Sequence, residues 1–339
     1  MKKIIGALLA STFLTGCIGG ANIKSVDAYT KRPLVKASIM PTTDQLKGAK
    51  TRVVVLDISN NNIGVAKKAS LGTAIRGKVE SMLSDAGVEL IDRGLAAKLQ
   101  KEITLAEVKG KSKVNYKGPK VADYTISGNV VAANYTQRYS ASSTWYDKKG
   151  RRHYSPPSCN YSVQFEGVLK IHELPSLRLV DTIKITDTES KSQTLRRYAS
   201  RCHRFSQSQL NGLAIGAGVD AVYESKVQLQ NNFSPRGYIS EYRVKDSEHI
   251  FRITMGKLAG VKEGQVVNVI KLVADTDGLT NETTIEDKIH TEAEVSNQIG
   301  KKYSWIAVDD AEKAKQIRLG DVVKVKFEDS LMDNLKKMF

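Results

Sequence analysis

Three cysteines and five histidines are the residues of this chain best suited to metal binding or nucleophilic chemistry. Cys159 and Cys202, taken with His153 and His203, offer four metal-ligating side chains, but their spacing fits no usual zinc pattern. The histidines are scattered, at His153, His172, His203, His249 and His290. The sequence therefore predicts no metal site and no cofactor.

Motifs of the common enzyme classes are not found in the sequence: it holds no P-loop, no G-x-S-x-G and no H-E-x-x-H. Asp57 and Asp92 lie at the ends of two predicted strands and could form a carboxylate pair, but capping or turn formation is the commoner role of aspartate there. We therefore expect a non-enzymatic protein. A concave pocket with converging carboxylates or histidines would restore the enzymatic alternative.

The third cysteine closes an export signal. Lys2 and Lys3 precede a short apolar stretch at 4–13, and the sequence LTGC follows at 14–17. This resembles the lipobox of bacterial lipoproteins, which implies a signal peptide at 1–16 and attachment of palmitate-type acyl chains to Cys17. No aspartate follows the cysteine, which in that family favours the outer membrane. The alternative is a plain export signal with a chance cysteine.

The charge of the chain points to acidic neighbours. Its 339 residues carry a net charge of +16, and 41% of them are hydrophobic, enough for a substantial core. Nucleic acid conflicts with export, so lipid headgroups, lipopolysaccharide and acidic cell-wall groups are the expected anionic partners. A basic surface that only aids solubility is the alternative.

After a predicted extended arm at 17–50, the chain shows a strand–helix–strand pattern. A buried strand at 51–58 is followed by a helix ending at Gly87, a strand at 88–91 and a second helix at 94–108. The first helix places its apolar residues on one face. These are Leu71, Ile75, Val79, Met82, Leu83 and Ala86. The pattern predicts an α/β layer.

Three further strands, at 123–131, 161–171 and 179–185, precede a helix at 206–230, and this order resembles the CsgG family of outer-membrane lipoproteins. The residues that carry the resemblance are VVVLDI at 53–58, ELIDR at 89–93 and ADYTISG at 122–128. It implies an α/β (α+β) domain at 51–230, with a mixed sheet and flanking helices, that forms a homo-oligomeric ring. Relatives include the curli secretion channel, periplasmic activators of cell-wall synthases and flagellar outer-ring proteins.

Two insertions correspond to the membrane hairpins of curli channels, at 134–160 and 186–205. Both faces of the second insertion carry charged residues, and a mid-bilayer Arg or Lys costs roughly 2–4 kcal/mol. We therefore expect a structural or assembly component of a secretion apparatus or appendage base that contacts envelope protein partners. An oligomeric secretion pore and a regulator of a cell-wall synthase are the alternatives.

Because the resemblance places the two insertions on neighbouring strands, we expect Cys159 and Cys202, near the insertion bases, to form a disulfide in an oxidising periplasm. Two unpaired thiols are the alternative. The bond would join two basic segments into a surface for an anionic partner. Its cations are Arg138, Lys148, Lys149, Arg151, Arg152, Arg196, Arg197, Arg201 and Arg204.

The chain changes character after 230–237, where Pro and Gly accompany several polar residues. Short strands and glycine-framed turns then predict a small, mainly β, barrel-like domain at 237–328. A short C-terminal helix is expected at 329–339.

Overall fold

The computed structural model describes residues 21–46, 51–91, 122–174, 176–276, 278–279 and 283–329. Its strands in chain order are β1 Thr30–Arg32, β2 Arg52–Ser59, β3 Glu89–Leu90, β4 Tyr124–Ser140, β5 Ser143–Tyr146, β6 Arg152–Ser155, β7 Ser158–Glu173, β8 Arg178–Thr194, β9 Arg236–Lys245, β10 Glu248–Ile253, β11 Val266–Thr276, β12 Thr283–Ile299, β13 Ser304–Val308 and β14 Val322–Val325. Its helices are α1 Thr43–Leu46, α2 Gly64–Lys68, α3 Leu71–Asp85, α4 Gln207–Glu224, α5 Lys226–Asn232 and α6 Ala311–Lys315.

The chain divides into two compact units, which we name the α/β unit and the barrel unit. The α/β unit comprises 43–236 and 324–339, and the barrel unit comprises 1–42 and 237–323. The sequence places the second boundary near 328, whereas the chain leaves the barrel unit after Val323. Asn231 explains the difference, because it holds the backbone of Phe327 by two hydrogen bonds of 2.9 Å within the α/β unit.

The α/β unit is built on a five-stranded mixed sheet of order β3-β2-β4-β7-β8. β2 runs parallel to β3 and β4, whereas β4, β7 and β8 are antiparallel neighbours. The parallel pairs require crossovers through helices. Helix α3 supplies the first one, and Gly87, with φ of 80°, follows the helix end. The predicted strand–helix–strand nucleus is therefore present, while the predicted helix at 94–108 lies outside the described residues.

Helices α3 and α4 cover one face of this sheet. Leu71, Ile75 and Val79 of α3 are fully buried, as are Ala214 and Ala217 of α4. They join one apolar core with the alternate residues of β7, from Cys159 to Ile171. Residues 206–230, predicted as one helix, instead form α4 and α5 with a break at Ser225.

The barrel unit closes on itself. Strands β9, β10, β13, β12, β11 and β14 pair in that order, and β14 pairs back with β9, which makes a closed barrel of six strands. Closure satisfies the backbone groups that an edge strand would leave unpaired. Buried residues fill the interior, including Ile239, Phe251, Ile253, Val267, Val269, Val295, Ile306, Val308 and Val323.

The predicted arm at 17–50 is, over its described part, not a free tether. Strand β1 pairs antiparallel with β9 from Thr30↔Val244 to Arg32↔Tyr242. Ile23 and Tyr29 are buried against Ile250 and Trp305. The pairing of β1 with β9 and the burial of these two apolar side chains thus fix the segment onto the barrel. This corrects the expectation of an extended, unpaired arm.

The fold class agrees with the prediction in its coarser outline. A mixed sheet with helices on one face and a β-barrel unit are both present. The described structure is nevertheless mostly β, with few helices, and the α/β label overstates its helical content. The topology does not specifically identify a CsgG-like core.

The two predicted insertions are largely continuations of the sheet. β4 and β7 remain paired through the first insertion out to Ser140↔Ser158, and the β5–β6 hairpin follows. β8 runs through the start of the second insertion to Thr194. Long antiparallel strands therefore carry the insertions, and they position the site described next.

Candidate functional site

A bulge in β4 determines which side chains of the outer part of this strand face the core. The pairing register of β4 with β7 shifts at Val131, which lies between Val130↔Gly167 and Ala132↔Glu166. One extra residue reverses which side chains face the core. We name the part of the sheet beyond this bulge, formed by β4, β7 and β8, the distal sheet. Tyr135 and Tyr139 therefore pack on its core side.

Cys159 and Cys202 form the predicted disulfide. Their Cα atoms lie 5.6 Å apart, within the roughly 4.4–6.8 Å that a disulfide requires. Cys159 is fully buried at the inner face of β7. Because both sulfurs are bonded to each other, the arrangement of these cysteines with His153 and His203 around a metal does not form.

The segment 195–205 crosses the inner face of the distal sheet, and the disulfide is one of several contacts that fix it there. Three hydrogen bonds span its length. They join the Leu195 amide to the Pro157 carbonyl at 2.8 Å, the Tyr139 hydroxyl to the Ala199 carbonyl at 2.7 Å and the Tyr161 hydroxyl to the His203 carbonyl at 2.9 Å.

Aromatic packing closes the far end of the same segment. The rings of Tyr161 and Phe205 stack with centroids 4.1 Å apart. Offset aromatic stacking adds about 0.5–1.5 kcal/mol to the area buried. The segment is therefore held as a defined surface. We name residues 138–161 and 195–205 together the stapled tip.

The β5–β6 hairpin of the stapled tip is ordered by Asp147. Its carboxylate accepts from the Lys149 and Arg151 amides at 2.9 Å and lies 2.8 Å from the Arg151 Nε. The Arg151 amide hydrogen bond, helped by the Arg151 and His153 side chains, lowers the pKa of Asp147. The turn therefore keeps its negative charge to lower pH than an isolated aspartate would.

The structure brings the nine predicted cations together on the stapled tip, and all nine are exposed. Arg138 lies at the end of β4, four cations lie on the β5–β6 hairpin, and four lie on 195–205. The Arg197 guanidinium is 5.6 Å from the centre of the Tyr154 ring, which links the two segments. Cys17 lies outside the described residues.

A second cluster, which sequence reasoning missed, joins Asp187 and Glu189 of β8 to Asp220 of α4. Oxygen atoms of the three carboxylates lie within 4.8 Å of one another. Burial, and then the charges of Asp220 and Asp187, raise the pKa of Glu189. The alternation of Asp187 and Glu189 on one strand face was visible in the sequence, but the approach of Asp220 depends on helix packing.

Replacing Glu189 with Gln is expected to raise the stability of the α/β unit at neutral pH by roughly 0.2–1 kcal/mol, the size of a neighbouring-residue interaction on a sheet. A raised carboxyl pKa means that the folded state binds more protons than the unfolded state, so stability falls as pH rises through the interval between the two pKa values. Urea denaturation at acidic and neutral pH tests this expectation. A variant no more stable than the wild type at neutral pH would contradict it.

Beside the disulfide, a cleft of about 930 Å³ is lined by residues that include Lys68, Tyr135, Gln137, Arg204 and Leu210. The polar lining residues offer two cations, two amides, a phenol and a serine hydroxyl but no carboxylate or histidine, so they form no general acid–base pair. Within the described ranges, no helix has the length and apolar character needed to cross a membrane.

No protein-family profile and no curated protein matches the sequence. Among solved structures, a minor lipoprotein from Acinetobacter baumannii is 11% identical, with a TM-score of 0.25, and covers 58% of this chain and 98% of its own. A PelC dodecamer from Paraburkholderia phytofirmans is 15% identical, with a TM-score of 0.23, and covers 60% and 96%. Lipoprotein GNA1162 from Neisseria meningitidis is 12% identical, with a TM-score of 0.23, and covers 52% and 99%.

Proposed function

We propose that this protein is a lipid-anchored, non-enzymatic structural or assembly component of a bacterial envelope machine, held at the periplasmic face of the outer membrane through Cys17. The observation that carries the proposal is the Cys159–Cys202 disulfide, because such bonds persist in oxidising compartments and are rare in the cytosol. The LTGC sequence at 14–17 supports the same location and supplies the anchor.

The non-enzymatic role is supported by the chemistry of the described residues. The cysteines are bonded to each other, and the acidic cluster of Asp187, Glu189 and Asp220 has no histidine or nucleophile among its members. The stapled tip instead presents nine exposed cations on a surface that the disulfide and side-chain hydrogen bonds hold in place. Such a surface suits binding better than proton transfer.

The machine we propose is a secretion apparatus or the base of a surface appendage, with the chain forming a homo-oligomeric ring. This finer proposal is supported by the CsgG-like sequence elements at 53–58, 89–93 and 122–128. The inner face of the distal sheet is covered by 195–205, and its outer face carries polar pairs such as Thr136 and Ser162, whose hydroxyl oxygens are 2.8 Å apart. Both features favour an assembly role over a lipid-facing pore.

The Cys17→Ser variant tests the anchor. Wild-type protein is expected to remain with the outer membrane through a high-salt wash, whereas the variant stays soluble or uncleaved, because only the thiol accepts the lipid. A variant that still fractionates with the outer membrane at high salt would contradict the proposal. Release only at high salt would assign attachment to exposed charge, which is screened over about 10 Å at 0.1 M salt.

Electron microscopy of the detergent-solubilised protein separates the proposed role from its alternatives. We expect ring-shaped oligomers without a detergent-belted channel. A ring carrying such a channel would support the secretion pore instead. A strict monomer that stimulates glycan polymerisation would support regulation of a cell-wall synthase.

A further inference from the structure

The stapled tip exposes four aromatic rings to solvent. On the β5–β6 hairpin, Trp145 is 51% exposed, Tyr146 67% and Tyr154 44%. Tyr198 of residues 195–205, which we name the crossing segment, is 90% exposed. Buried aromatic residues of the same region, such as Tyr161, have a packing role that accounts for them. The rings lie on two segments, the β5–β6 hairpin and 195–205, and the Arg197 guanidinium joins them by packing over the Tyr154 ring.

The same surface is strongly cationic. Residues 138–155 and 195–205 contain nine Lys and Arg side chains against one carboxylate, Asp147, for a net charge of +8 with neutral histidines. That carboxylate is already occupied by the Arg151 side chain and by backbone amides. The exposed rings therefore lie among cations that far outnumber the one carboxylate of the tip.

The tip is also ordered before any partner arrives. The disulfide, the Tyr139 and Tyr161 hydrogen bonds and the Tyr161–Phe205 stack fix the crossing segment. The Trp145 and His153 rings stack at 4.3 Å across the β5–β6 hairpin. Binding such a surface requires little loss of conformational entropy.

We propose that the stapled tip is a peripheral membrane-binding surface that docks on anionic phospholipid headgroups. Trp and Tyr rings concentrate at the boundary between headgroups and acyl chains, because each ring is apolar with one polar atom. Lys and Arg side chains contact the lipid phosphates and are attracted by the negative surface potential. The tip rests in the headgroup layer because charged residues lie beside the rings: Arg197 precedes Tyr198 and packs over the Tyr154 ring, and Asp147 follows Tyr146.

Charge complementarity and surface character favour a lipid surface over a protein or glycan partner. The cations are spread over the end of β4, the β5–β6 hairpin and the crossing segment, with aromatic rings between them, which suits a laterally continuous anionic layer. The proposal rests on the envelope location argued above. It adds a second membrane contact, within the α/β unit, to the lipid at Cys17.

The chain contains its own probe for this contact. Of its two tryptophans, Trp145 is half exposed on the tip, whereas Trp305 is buried in the barrel unit. The lipidated protein is reconstituted into vesicles with brominated acyl chains, containing either phosphatidylcholine alone or phosphatidylcholine with phosphatidylglycerol. We expect a blue shift and quenching of Trp145 emission only in the anionic vesicles, with loss of both at high salt. The Trp145→Phe variant gives the Trp305 baseline, which should not change.

Two triple variants then separate the tip from general surface charge. Lys148→Ser with Lys149→Ser and Arg152→Ser should abolish the anion-dependent quenching. Lys262→Ser with Lys301→Ser and Lys302→Ser removes the same charge from exposed sites of the barrel unit and should leave it unchanged. Equal Trp145 emission in the two vesicle types would overturn the proposal and leave the tip to a protein or glycan partner. Flotation with the vesicles is scored separately, so failure of the Cys17 anchor is distinguishable from failure of the tip.

Discussion

Joint replacement of Cys159 and Cys202 by serine is expected to lower the free energy of unfolding of the α/β unit by about 4 kcal/mol. The bond joins residues separated by 43 positions, so its loss frees a long loop of the unfolded chain. In the folded state the crossing segment 195–205 would keep its hydrogen bonds but lose its covalent link to β7.

Guanidinium denaturation followed by circular dichroism measures this effect. The wild type with reductant should unfold at the same lowered denaturant concentration as the double variant, while the variant itself should not respond to reductant. Reduced wild type serves as the control for the two serine side chains, because reduction breaks the disulfide without changing the sequence. Identical midpoints for oxidised and reduced wild type would contradict the expectation.

Gly72→Ala is expected to destabilise the α/β unit by roughly 1–3 kcal/mol, although alanine is the better helix former. Gly72 lies in the first turn of α3, and a Cβ there would lie 2.0 Å from the Ile58 carbonyl oxygen. The backbone at Gly72 cannot move easily, because its amide donates a hydrogen bond of 2.8 Å to the Asn60 side chain. Helix α3 or the end of β2 must therefore move.

Gly77→Ala in the same helix is the matched control. Gly77 is exposed, and a Cβ there meets nothing within 4 Å. This substitution should stabilise by up to about 1 kcal/mol, the ordinary helix preference for alanine. Thermal unfolding of the two variants should therefore shift in opposite directions. A Gly72→Ala protein as stable as Gly77→Ala would show that α3 and β2 do not approach as closely as the structure places them.

The disulfide could be predicted from the chemistry of an exported protein together with the family resemblance. Export favours paired cysteines, and the two residues lie near the bases of insertions that the family resemblance places on neighbouring strands. The path of 195–205 could not be predicted, because its contacts join Tyr139 and Tyr161 to carbonyl groups about forty to sixty residues away. A polar segment has no apolar periodicity that would indicate which face it covers.

The acidic cluster and the described part of the arm could not be predicted for the same reason, because both depend on contacts between residues far apart in the chain. Glu189 approaches α4 at Gly216, where a Cβ would lie 3.2 Å from its Cγ, so the absence of one side chain permits the contact. Ile23 and Tyr29 are too few and too irregularly spaced to indicate a strand. Their burial is determined by Ile250 and Trp305, more than two hundred residues later.

Intact-mass measurement of the protein extracted from the cell envelope tests the central claim, an exported lipoprotein with a disulfide-bonded tip, most directly. The account predicts a chain beginning at Cys17, heavier than its sequence by the mass of the attached lipid. It also predicts that the two other cysteines resist alkylation until a reductant is added. A chain that begins elsewhere and carries no lipid, or two thiols that react without reductant, would contradict the account.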